Sequence, residues 1–379
     1  MNAKKKFKIA FLSDHFPPKK DGVSTRLAHM VPILQRRSHQ VQCFFPASSS
    51  ELTQIANINA YGIRSLSVGN WRQTPIAFFS AKLLRALHDF QPDIVHAIFN
   101  YSFFPIAANW YKKRTHVPLI YGYHTDFSAY AKARIGRWFP SFLVNQIAVK
   151  FLNQGDVCLF PSTTIQNHLA LHKHIVTGIL PAGVDLELFH PNQFSLDFRK
   201  RYESEKGKII IHVGRLAKEK NIDALRPLLN LPDITLLLIG TGVEEMRLRR
   251  LFAKTRTHFL GNLEKKELAQ AYASSDLLVV PSKTETLGIV MLEAMACGCP
   301  IVGANAGAIP DVLSNLSQGA RVCNPNNTTE FIQTVQNMLN KVDDATYNYL
   351  RQYSQNYTWD NAVDCLLGFY ERAYNAHRQ

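Results

Sequence analysis

The chain lacks an apolar run as long as the roughly 18 residues that a membrane-spanning helix needs, which argues against a transmembrane segment. It also lacks a Cys-x-x-Cys pair, so the Cys-Cys-His-His pattern of a zinc finger is absent. No Asp-x-Asp pair is present either, and we expect no bound metal. The apolar stretch after the basic start of the chain is too short for a signal peptide. This stretch instead predicts a first strand, and without a signal peptide we expect a cytoplasmic protein.

Acidic residues are scarce in the first half of the chain. Residues 1–190 contain 21 Lys or Arg and 9 Asp or Glu, a net charge of +12, whereas residues 191–379 contain 22 and 20, a net charge of +2. This asymmetry suggests that the first half binds an anionic partner: nucleic acid, an anionic membrane or an acidic substrate. The alternative is that the positive charge serves only to keep the protein soluble. No nucleic-acid-binding motif accompanies it, so we favour a membrane surface and expect no nucleic acid.

The most informative stretch combines a strand, a loop and a helix. Asp276–Val280 is an apolar run of strand length, and Ile289–Ala296 is a predicted helix that Gly298 ends. The loop between them is rich in Ser, Thr and Gly, and a helix N-terminus after such a loop presents the free backbone N–H groups that bind phosphate. Ile301 starts another buried strand, which indicates a β-α-β unit of a parallel sheet.

Two glutamates bracket this loop. Glu293 lies about five residues into the helix, or roughly 7 Å along its axis, so it is not expected to form a close acid/base pair with Glu285. The pair is better placed to hold two ends of an extended ligand whose phosphates lie between them, since an acidic residue commonly accepts the ribose hydroxyls beside a phosphate-binding helix. A loop charge and a solvated helix charge are the alternative.

Three segments resemble the family 4 retaining glycosyltransferases. Residues 282–302 read Ser-x-Thr-Glu-Thr-Leu-Gly-x-Val-x-Leu-Glu-Ala-Met-Ala-x-Gly-x-Pro-Ile-Val and resemble the donor-site signature of that family. Residues 214–220 read Gly-Arg-Leu-x-x-Glu-Lys and are similar to its diphosphate clamp. Residues 16–26 read Phe-Pro-Pro-x-x-Asp-Gly-Val-Ser-x-Arg and resemble the branches that transfer sulfoquinovose, as in sulfoquinovosyldiacylglycerol synthase, or mannose from GDP-mannose.

The resemblance implies a set of site residues. The donor-binding set is Gly22, Arg215, Lys220, Glu285, Thr286, Leu287, Gly288 and Glu293, and the catalytic set is His124, Glu285, Arg215 and Lys220. In this assignment Glu293 holds the ribose and Glu285 the hexose hydroxyls. The backbone N–H groups of residues 286–288 bind the diphosphate, and the two cations stabilise its charge as it leaves.

Two of these residues fall in the first half. His124 follows a predicted strand over residues 118–123, at the strand end where open α/β sheets bind ligands, and it matches the reactive-centre histidine of the family. Gly22 ends the loop after the first strand, a mononucleotide-binding arrangement without Gly-x-Gly-x-x-Gly. Family members commonly have a glycine pair or Asn-Gly there, whereas this chain has Asp21-Gly22; an ordinary loop is the alternative.

Residues 127–143 mix basic and aromatic side chains, with Lys132, Arg134 and Arg137 among the basic ones. This mixture suits a membrane interface. Single-stranded nucleic acid could also bind such a stretch, but nothing else in the chain supports that. An ordinary packed helix pair is the remaining alternative.

The resemblance implies an α/β protein of the GT-B fold, with two facing Rossmann-like domains, mostly parallel sheets and a central cleft. We expect residues 1–190 to form the acceptor-side domain and residues 191–359 the nucleotide-sugar domain. The C-terminal helix, residues 360–379, is expected to pack back on the first domain. We also predict one helix over residues 162–171 and another over residues 347–372.

The expected activity is retaining transfer of a hexose from a UDP- or GDP-sugar to a hydroxyl acceptor. No cofactor beyond the nucleotide sugar is implied. We favour a membrane glycolipid or diacylglycerol lipid as acceptor and a peripheral location on the inner face of the membrane. A soluble glycan or protein acceptor, a nucleotide-sugar epimerase or phosphorylase on the same fold, and a non-enzymatic binding module remain alternatives.

Overall fold

The computed structural model of the protein describes residues 5–17, 21–47, 52–55, 58–66, 76–77, 81–99, 102–124, 141–202, 207–286, 288–341 and 343–378. Most of the basic-aromatic stretch, residues 127–140 with Lys132, Arg134 and Arg137, lies outside the described residues, as does Leu287. The described chain divides into two compact units, which are described separately.

The first unit contains a nine-stranded sheet with the order β3-β4-β2-β1-β6-β7-β8-β9, in which β5 pairs with β4. Its strands are β1 (Lys8–Leu12), β2 (Gln40–Ala47), β3 (Leu52–Ile55), β4 (Ile58–Leu66), β5 (Ile76–Ala77), β6 (Ile94–Ile98), β7 (Leu119–Gly122), β8 (Val157–Phe160) and β9 (Val176–Ile179). Its helices are α1 (Gly22–Arg36), α2 (Ala81–Phe90), α3 (Phe104–Thr115), α4 (Ser141–Leu152), α5 (Thr163–Asn167) and, from the end of the chain, α13 (Trp359–Ala376). Among the described strands of this sheet, the pairs of β4 with β3 and of β4 with β5 are antiparallel and the others are parallel.

The second unit contains a six-stranded parallel sheet with the order β12-β11-β10-β13-β14-β15. Its strands are β10 (Lys208–Val213), β11 (Ile234–Ile239), β12 (Thr257–Gly261), β13 (Leu277–Val280), β14 (Ile301–Ala304) and β15 (Ala320–Cys323). Its helices are α6 (Leu196–Tyr202), α7 (Glu245–Leu251), α8 (Lys265–Ala273), α9 (Ile289–Ala296), α10 (Ile309–Leu313), α11 (Thr328–Lys341) and α12 (Asp344–Ser354).

Strand β10 shows why this sheet is covered on both faces. Ile209 and Ile211 belong to one cluster of buried apolar side chains, and Ile210 between them belongs to another. Successive side chains of a strand point to opposite faces, so a continuous apolar run needs packing on both sides. Two mostly parallel sheets in an α/β chain are what the sequence predicts, and this expectation is confirmed.

The division between the units lies at Pro181/Ala182, not at the predicted residue 190. Val184 and Phe189 are buried in the second unit's core. Arg351 of α12 fixes this segment by donating to the backbone oxygens of Leu186 and Phe189, at 2.9 and 2.8 Å. The segment after the crossing therefore belongs to the second unit because its apolar residues find their packing partners there.

Two helix predictions are wrong in extent. The helix predicted over residues 162–171 ends at Asn167, and the one predicted over residues 347–372 is two helices, α12 and α13. At the break, Thr358 forms an isolated parallel bridge with Val184, and Val184 N–H donates to the backbone oxygen of Tyr357 at 2.8 Å. A tertiary pairing therefore interrupts what the local pattern presents as one helix.

Helix α13 packs against α1 in the first unit. Arg37, at the end of α1, donates to Asp360 at 2.8 Å and pairs with Asp364 at 2.5 Å, and His29 stacks on Trp359. Further along α13, Phe369 covers Gly178 of β9. None of the described helices combines the length and apolar character needed to cross a bilayer.

We expect Gly178→Ala to destabilise the first unit and Gly368→Ala, the matched control on α13, to stabilise it slightly. A Cβ on Gly178 would lie 2.0 Å from Cζ of Phe369, whereas a Cβ on Gly368 meets nothing within 4 Å. Overpacking costs about 1–3 kcal/mol, and replacing a helical glycine by alanine stabilises by about 0.5–1 kcal/mol. Chemical unfolding measures both changes; equal effects of the two substitutions would contradict the packing of Phe369 on β9.

Candidate active site

The centre of the second sheet is a topological switch point. Strand β10 lies between β11 and β13, so the chain leaves β10 toward one neighbour and later returns on its other side. In open parallel sheets the loops at such a point diverge and leave a crevice at the carboxyl ends of the strands. The loop after β10 carries Lys220 and the loop after β13 carries Glu285, which are the two predicted residues that the structure brings into contact.

Lys220 and Glu285 form a partly buried ion pair. The Nζ atom of Lys220 lies 2.6 Å from Oε2 of Glu285, and the two side chains are 20% and 15% exposed. Burial alone acts to raise the pKa of Glu285. The Lys220 ammonium and the backbone N–H groups of Gly288 and Thr286 outweigh it and hold that pKa below its usual value. Glu285 is therefore a carboxylate at neutral pH.

The two loops are tied to each other. Asn221, in the left-handed region with φ 52°, donates from its side-chain amide to the backbone oxygen of Pro281 at 3.2 Å. The Ser282 hydroxyl donates to the backbone oxygen of Glu219 at 3.4 Å. These contacts connect the chain next to Lys220 with the chain next to Glu285, so the ion pair is positioned by backbone contacts on both sides.

A third loop supports Glu285 from behind. Ala308 N–H donates to the backbone oxygen of Glu285 at 2.8 Å. Gly307 has φ +58°, and a Cβ there would lie 2.6 Å from that same oxygen. Glycine is required at this position both for its backbone conformation and for the close approach.

The predicted phosphate-binding loop holds a carboxylate. Gly288 caps α9 with φ 64°, and the N–H groups of Thr286 and Gly288 donate to the side chain of Glu285. The end of the helix therefore already attracts negatively charged oxygen, as its unpaired N–H groups and dipole lead one to expect. Leu287, the third predicted donor, lies outside the described residues.

Arg215, the other predicted cation, lies in the same loop as Lys220 but is more exposed. Its side chain is 48% exposed and donates to the carboxylate of Glu219. A half-exposed guanidinium keeps the reach and the forked geometry that suit a diphosphate. The loop after β10 therefore supplies two cations. An ion pair holds Lys220 in place, whereas the half-exposed side chain of Arg215 can adjust its position to a ligand.

Glu293 lies in a different environment from Glu285. Its Oε2 accepts a hydrogen bond from the hydroxyl of Tyr272 on α8 at 3.0 Å. Burial raises the pKa of Glu293 to about 7, because the Tyr272 hydroxyl and the more distant Lys265 compensate only part of the desolvation. The sequence analysis missed Tyr272; a tyrosine in an otherwise ordinary helix gives no local signal of this contact.

His212 is a second residue that the sequence analysis missed. It lies on β10, is 1% exposed, and its Nδ1 donates to the backbone oxygen of Val279 at 3.0 Å. Burial lowers its pKa to about 4, so the ring is neutral and Nε2 is an acceptor. Nε2 has no partner among the described residues. A histidine within the apolar run of a buried strand was the signal that could have identified it.

The first unit contains the two remaining predicted residues. His124 follows β7, is 4% exposed, and neither of its ring nitrogens has a partner in the described part of the chain. Burial lowers its pKa well below the usual value, so the imidazole is neutral. Gly22 is the first residue of α1, and the side chain of Asp21 caps this helix by accepting from the N–H groups of Val23 and Ser24. Across the described residues, no group of three or more His, Cys, Asp or Glu converges as metal ligands.

Two family models match the chain. The model described as "Glycosyltransferase Family 4" matches residues 20–188, and the model described as "Glycosyl transferases group 1" matches residues 194–357. The first match covers most of the first unit's sheet, and the second covers the sheet that carries Lys220, Glu285 and Glu293.

Several curated proteins are similar to the chain. Sulfoquinovosyl transferase SQD2 of Arabidopsis thaliana is 32% identical over 322 residues, covering 80% of this chain and 61% of that protein. A GDP-mannose-dependent alpha-mannosyltransferase of Mycolicibacterium smegmatis is 26% identical, covering 82% and 83% of the two chains. Alpha-monoglucosyldiacylglycerol synthase of Streptococcus pneumoniae is 23% identical, covering 83% and 74%.

Solved structures share the fold. Sucrose-phosphate synthase from Thermosynechococcus elongatus superposes with a TM-score of 0.77 at 18% identity, covering 98% of this chain and all of that chain. Anabaena HepE in complex with UDP and glucose superposes with a TM-score of 0.73 at 19% identity, covering 96% and 99%. At these identities the likeness concerns the fold alone.

The raised pKa of Glu293 predicts a pH-dependent stability that Glu293→Gln removes. Between the usual glutamate pKa and about 7, the folded protein keeps a proton that the unfolded chain has lost, so the free energy of unfolding falls as pH rises through this window. Relative to wild type, Glu293→Gln should gain stability as pH rises from about 5 to about 8, by at most about 3 kcal/mol. Urea unfolding across this range measures the gain.

The exposed Glu187 supplies the control, since Glu187→Gln should leave the pH profile of wild type unchanged. Profiles of wild type and Glu293→Gln that run parallel would contradict the buried environment of Glu293.

Proposed function

We propose that this chain, which belongs to the glycosyltransferases of family 4 and has the GT-B fold, transfers a hexose from a UDP- or GDP-linked sugar to a hydroxyl acceptor with retention of the anomeric configuration. Curated relatives that transfer sulfoquinovose, mannose or glucose support the reaction class. The solved complex of HepE with UDP and glucose supports a nucleotide-sugar donor.

The ion pair of Lys220 with Glu285 at the switch point of the second sheet carries the proposal. It combines a fixed cation, a carboxylate and a helix N-terminus at the place where parallel sheets bind nucleotides. A diphosphate would replace the Glu285 carboxylate at the N–H groups of Thr286 and Gly288 and would take up the charge of Lys220. The released Glu285 would then accept hydroxyl groups of the hexose, while Glu293 accepts those of the ribose.

The proposed roles of these residues define the steps of the transfer. The bond between the anomeric carbon and the diphosphate oxygen breaks, and the acceptor oxygen forms the new bond on the face that the diphosphate leaves. The acceptor proton passes to the departing diphosphate, and Lys220 and Arg215 stabilise the charge that develops there. His124, as a neutral imidazole, would contact a reactant by donating one hydrogen bond and accepting another.

A lipid acceptor is the second part of the proposal. Large apolar side chains are exposed in the N-terminal halves of α3 and α4, which pack against each other, and at the residue before α3: Phe103, Ile106, Leu143 and Ile147 are 36–48% exposed. The same two helices carry Lys112, Lys113, Arg114 and Lys150. Exposed apolar side chains combined with basic ones favour an anionic lipid surface. The relative named alpha-monoglucosyldiacylglycerol synthase supports this acceptor class.

The donor site is tested by calorimetry with UDP, GDP and their hexose conjugates. Glu293→Gln should weaken the nucleoside diphosphate and its sugar conjugate alike, because both contain the ribose. Glu285→Gln should weaken only the conjugate, because its contacts are to the hexose. Lys220→Met should lower turnover by on the order of 100-fold, as expected when a preorganised partner of a leaving group is lost.

Lys218→Met is the matched control for Lys220, since Lys218 is exposed in the same turn. Full turnover of Lys220→Met with intact folding, or equal losses of both ligands in both glutamate variants, would refute the assignment. NMR of the product's anomeric proton tests retention.

The lipid surface is tested by vesicle flotation. The double change Leu143→Gln and Ile147→Gln should lower binding to anionic vesicles about tenfold, because each side chain loses apolar burial. Binding of the wild type should also weaken with salt, since exposed charges are screened over about 8 Å at physiological ionic strength.

Val243→Gln with Met246→Gln is the matched control, because these side chains are 85% and 71% exposed in the second unit. A wild type that stays in solution with anionic vesicles at low salt would reject the lipid surface. Transfer to a soluble glycan would then identify the acceptor class, and the donor assignment would be unaffected.

A further inference from the structure

A cluster of buried nitrogen-containing side chains lies in the first unit. Arg26 on α1, His96 on β6 and His124 after β7 are 2%, 1% and 4% exposed. A Cβ on Gly122, the last residue of β7, would lie 2.7 Å from Nε2 of His124 and 2.9 Å from Nε2 of His96. The two ring nitrogens therefore converge on one point beside Gly122, which Cδ1 of Ile98 also approaches to 3.0 Å, and only a residue without a side chain fits there.

Arg26 lies close enough to act on both rings. Burial lowers the pKa of His96 to about 3 and that of His124 well below its usual value, and the charge of Arg26 lowers both further. The guanidinium and the two neutral imidazoles thus share one buried region at the carboxyl ends of the central strands.

This cluster has hydrogen-bonding capacity that the described residues do not satisfy. Nη2 of Arg26 donates to the backbone oxygen of Leu180 at 3.2 Å, but Nε and Nη1 have no partner in the described ranges. Nε2 of His96 and both ring nitrogens of His124 are likewise without a partner there. A buried polar group left unpaired is destabilising, and few occur in native proteins.

No carboxylate accepts a hydrogen bond from Arg26 among the described residues. Burial lowers the pKa of its guanidinium to about 9, so it is still protonated at neutral pH. A water molecule or a sugar hydroxyl could satisfy the hydrogen bonds but would leave the buried charge uncompensated, and a metal ion on the two histidines would be repelled by Arg26. An anionic oxygen group both accepts the hydrogen bonds and neutralises the charge.

We propose that Arg26, His96 and His124 form a binding site for an oxyanion: a sulfonate, phosphate or carboxylate group carried by one of the two reactants. The assignment of the oxyanion to a reactant rests on the proposed function, whereas the binding of a free oxyanion does not. The residues of this site all belong to the first unit.

Tyr370 on α13 positions His96 in this site. Its hydroxyl oxygen lies 2.7 Å from Nδ1 of His96, and burial raises the pKa of Tyr370, so the hydroxyl keeps its proton. The charged oxygens of an oxyanion accept hydrogen bonds, so their binding to Nε2 selects the tautomer in which Tyr370 donates to Nδ1 and Nε2 carries the ring proton. Tyr370 is therefore a positioning residue, which links the last helix to the oxyanion site.

The test uses sulfate, methanesulfonate and inorganic phosphate as probes, each compared with chloride at matched ionic strength. Thermal denaturation and the imidazole NMR signals of the full-length protein are the two readouts. At least one oxyanion should stabilise the wild type and shift the His96 and His124 signals. Arg26→Met should lower the affinity about tenfold or more, since it removes charge-assisted hydrogen bonds. Arg36→Met is the matched control, because Arg36 is on the same helix with its side chain 71% exposed.

Arg26→Met should fold, since replacing a buried unpaired charge by an apolar side chain of similar length is often neutral or stabilising. Retained UDP binding shows that the donor unit is intact. Tyr370→Phe is the second variant; it keeps the packing and should weaken the oxyanion through the His96 tautomer. No oxyanion effect on the wild type, or an equal effect on wild type and Arg26→Met, would overturn the proposal.

A second arm identifies the reactant. If Arg26→Met lowers the affinity for a UDP-hexuronate but not for the matching neutral UDP-hexose, the transferred sugar carries the oxyanion. If donor affinities are unchanged and the KM for a phosphate-bearing acceptor rises, the acceptor carries it. Loss of UDP binding in Lys220→Met with unchanged oxyanion binding would show that the two sites operate separately.

Discussion

The parallel pairing of β10 with β13 is the constraint on which the donor-side site depends. Ile210 pairs with Leu277 and Ile211 with Leu278, although nearly seventy residues separate the two strands in sequence. This register places the loops that follow the two strands side by side. Lys220 and Glu285 meet because of that pairing, and the contacts of Asn221 with the β13 loop hold them there. A sheet that joined these strands in another order would separate the two charges.

Burial acts in opposite directions on the two glutamates of the site. Glu285 is surrounded by an ammonium group and two backbone N–H groups, so its pKa is lowered despite desolvation. Glu293 has only a hydroxyl donor and a distant lysine, so desolvation prevails and its pKa rises to about 7. Different environments that separate the pKa values of two similar groups are a common way for proteins to divide roles between them. In the proposed function Glu285 accepts hexose hydroxyls and Glu293 accepts ribose hydroxyls.

The buried cationic side chains of the two units differ in their partners. In the second unit the partly buried Lys220 has a carboxylate partner at hydrogen-bond distance. In the first unit Arg26 is more deeply buried and donates only to a backbone oxygen within the described residues. A cation in an ion pair can exchange its carboxylate partner for a charged ligand. A buried cation that donates only to a backbone oxygen favours binding of an anion without such an exchange. The ion pair of Lys220 therefore suits a leaving group that binds and is released in each turnover. The buried Arg26 suits an anionic group that orients a reactant.

The sequence by itself determined the local features of the protein. The apolar run before residue 281, the loop rich in Ser, Thr and Gly and the helix Ile289–Ala296 were predicted with the observed helix bounds, because strand, turn and helix signals are properties of neighbouring residues. The motif in the same stretch predicted a glycosyltransferase, and the model described as "Glycosyl transferases group 1" matches the residues around it. The break between α12 and α13 could not be predicted, since it depends on Thr358 pairing with the distant Val184.

Only the tertiary structure decided which polar groups meet and which remain unpaired. The contact of Tyr272 with Glu293 and the convergence of His96 and His124 over Gly122 depend on strand order and helix packing. Arg26 resembles any basic residue of an amphipathic helix in the sequence, yet it is 2% exposed in the fold. Burial and pairing are set by contacts between segments far apart in the chain, and local sequence patterns contain no information about them.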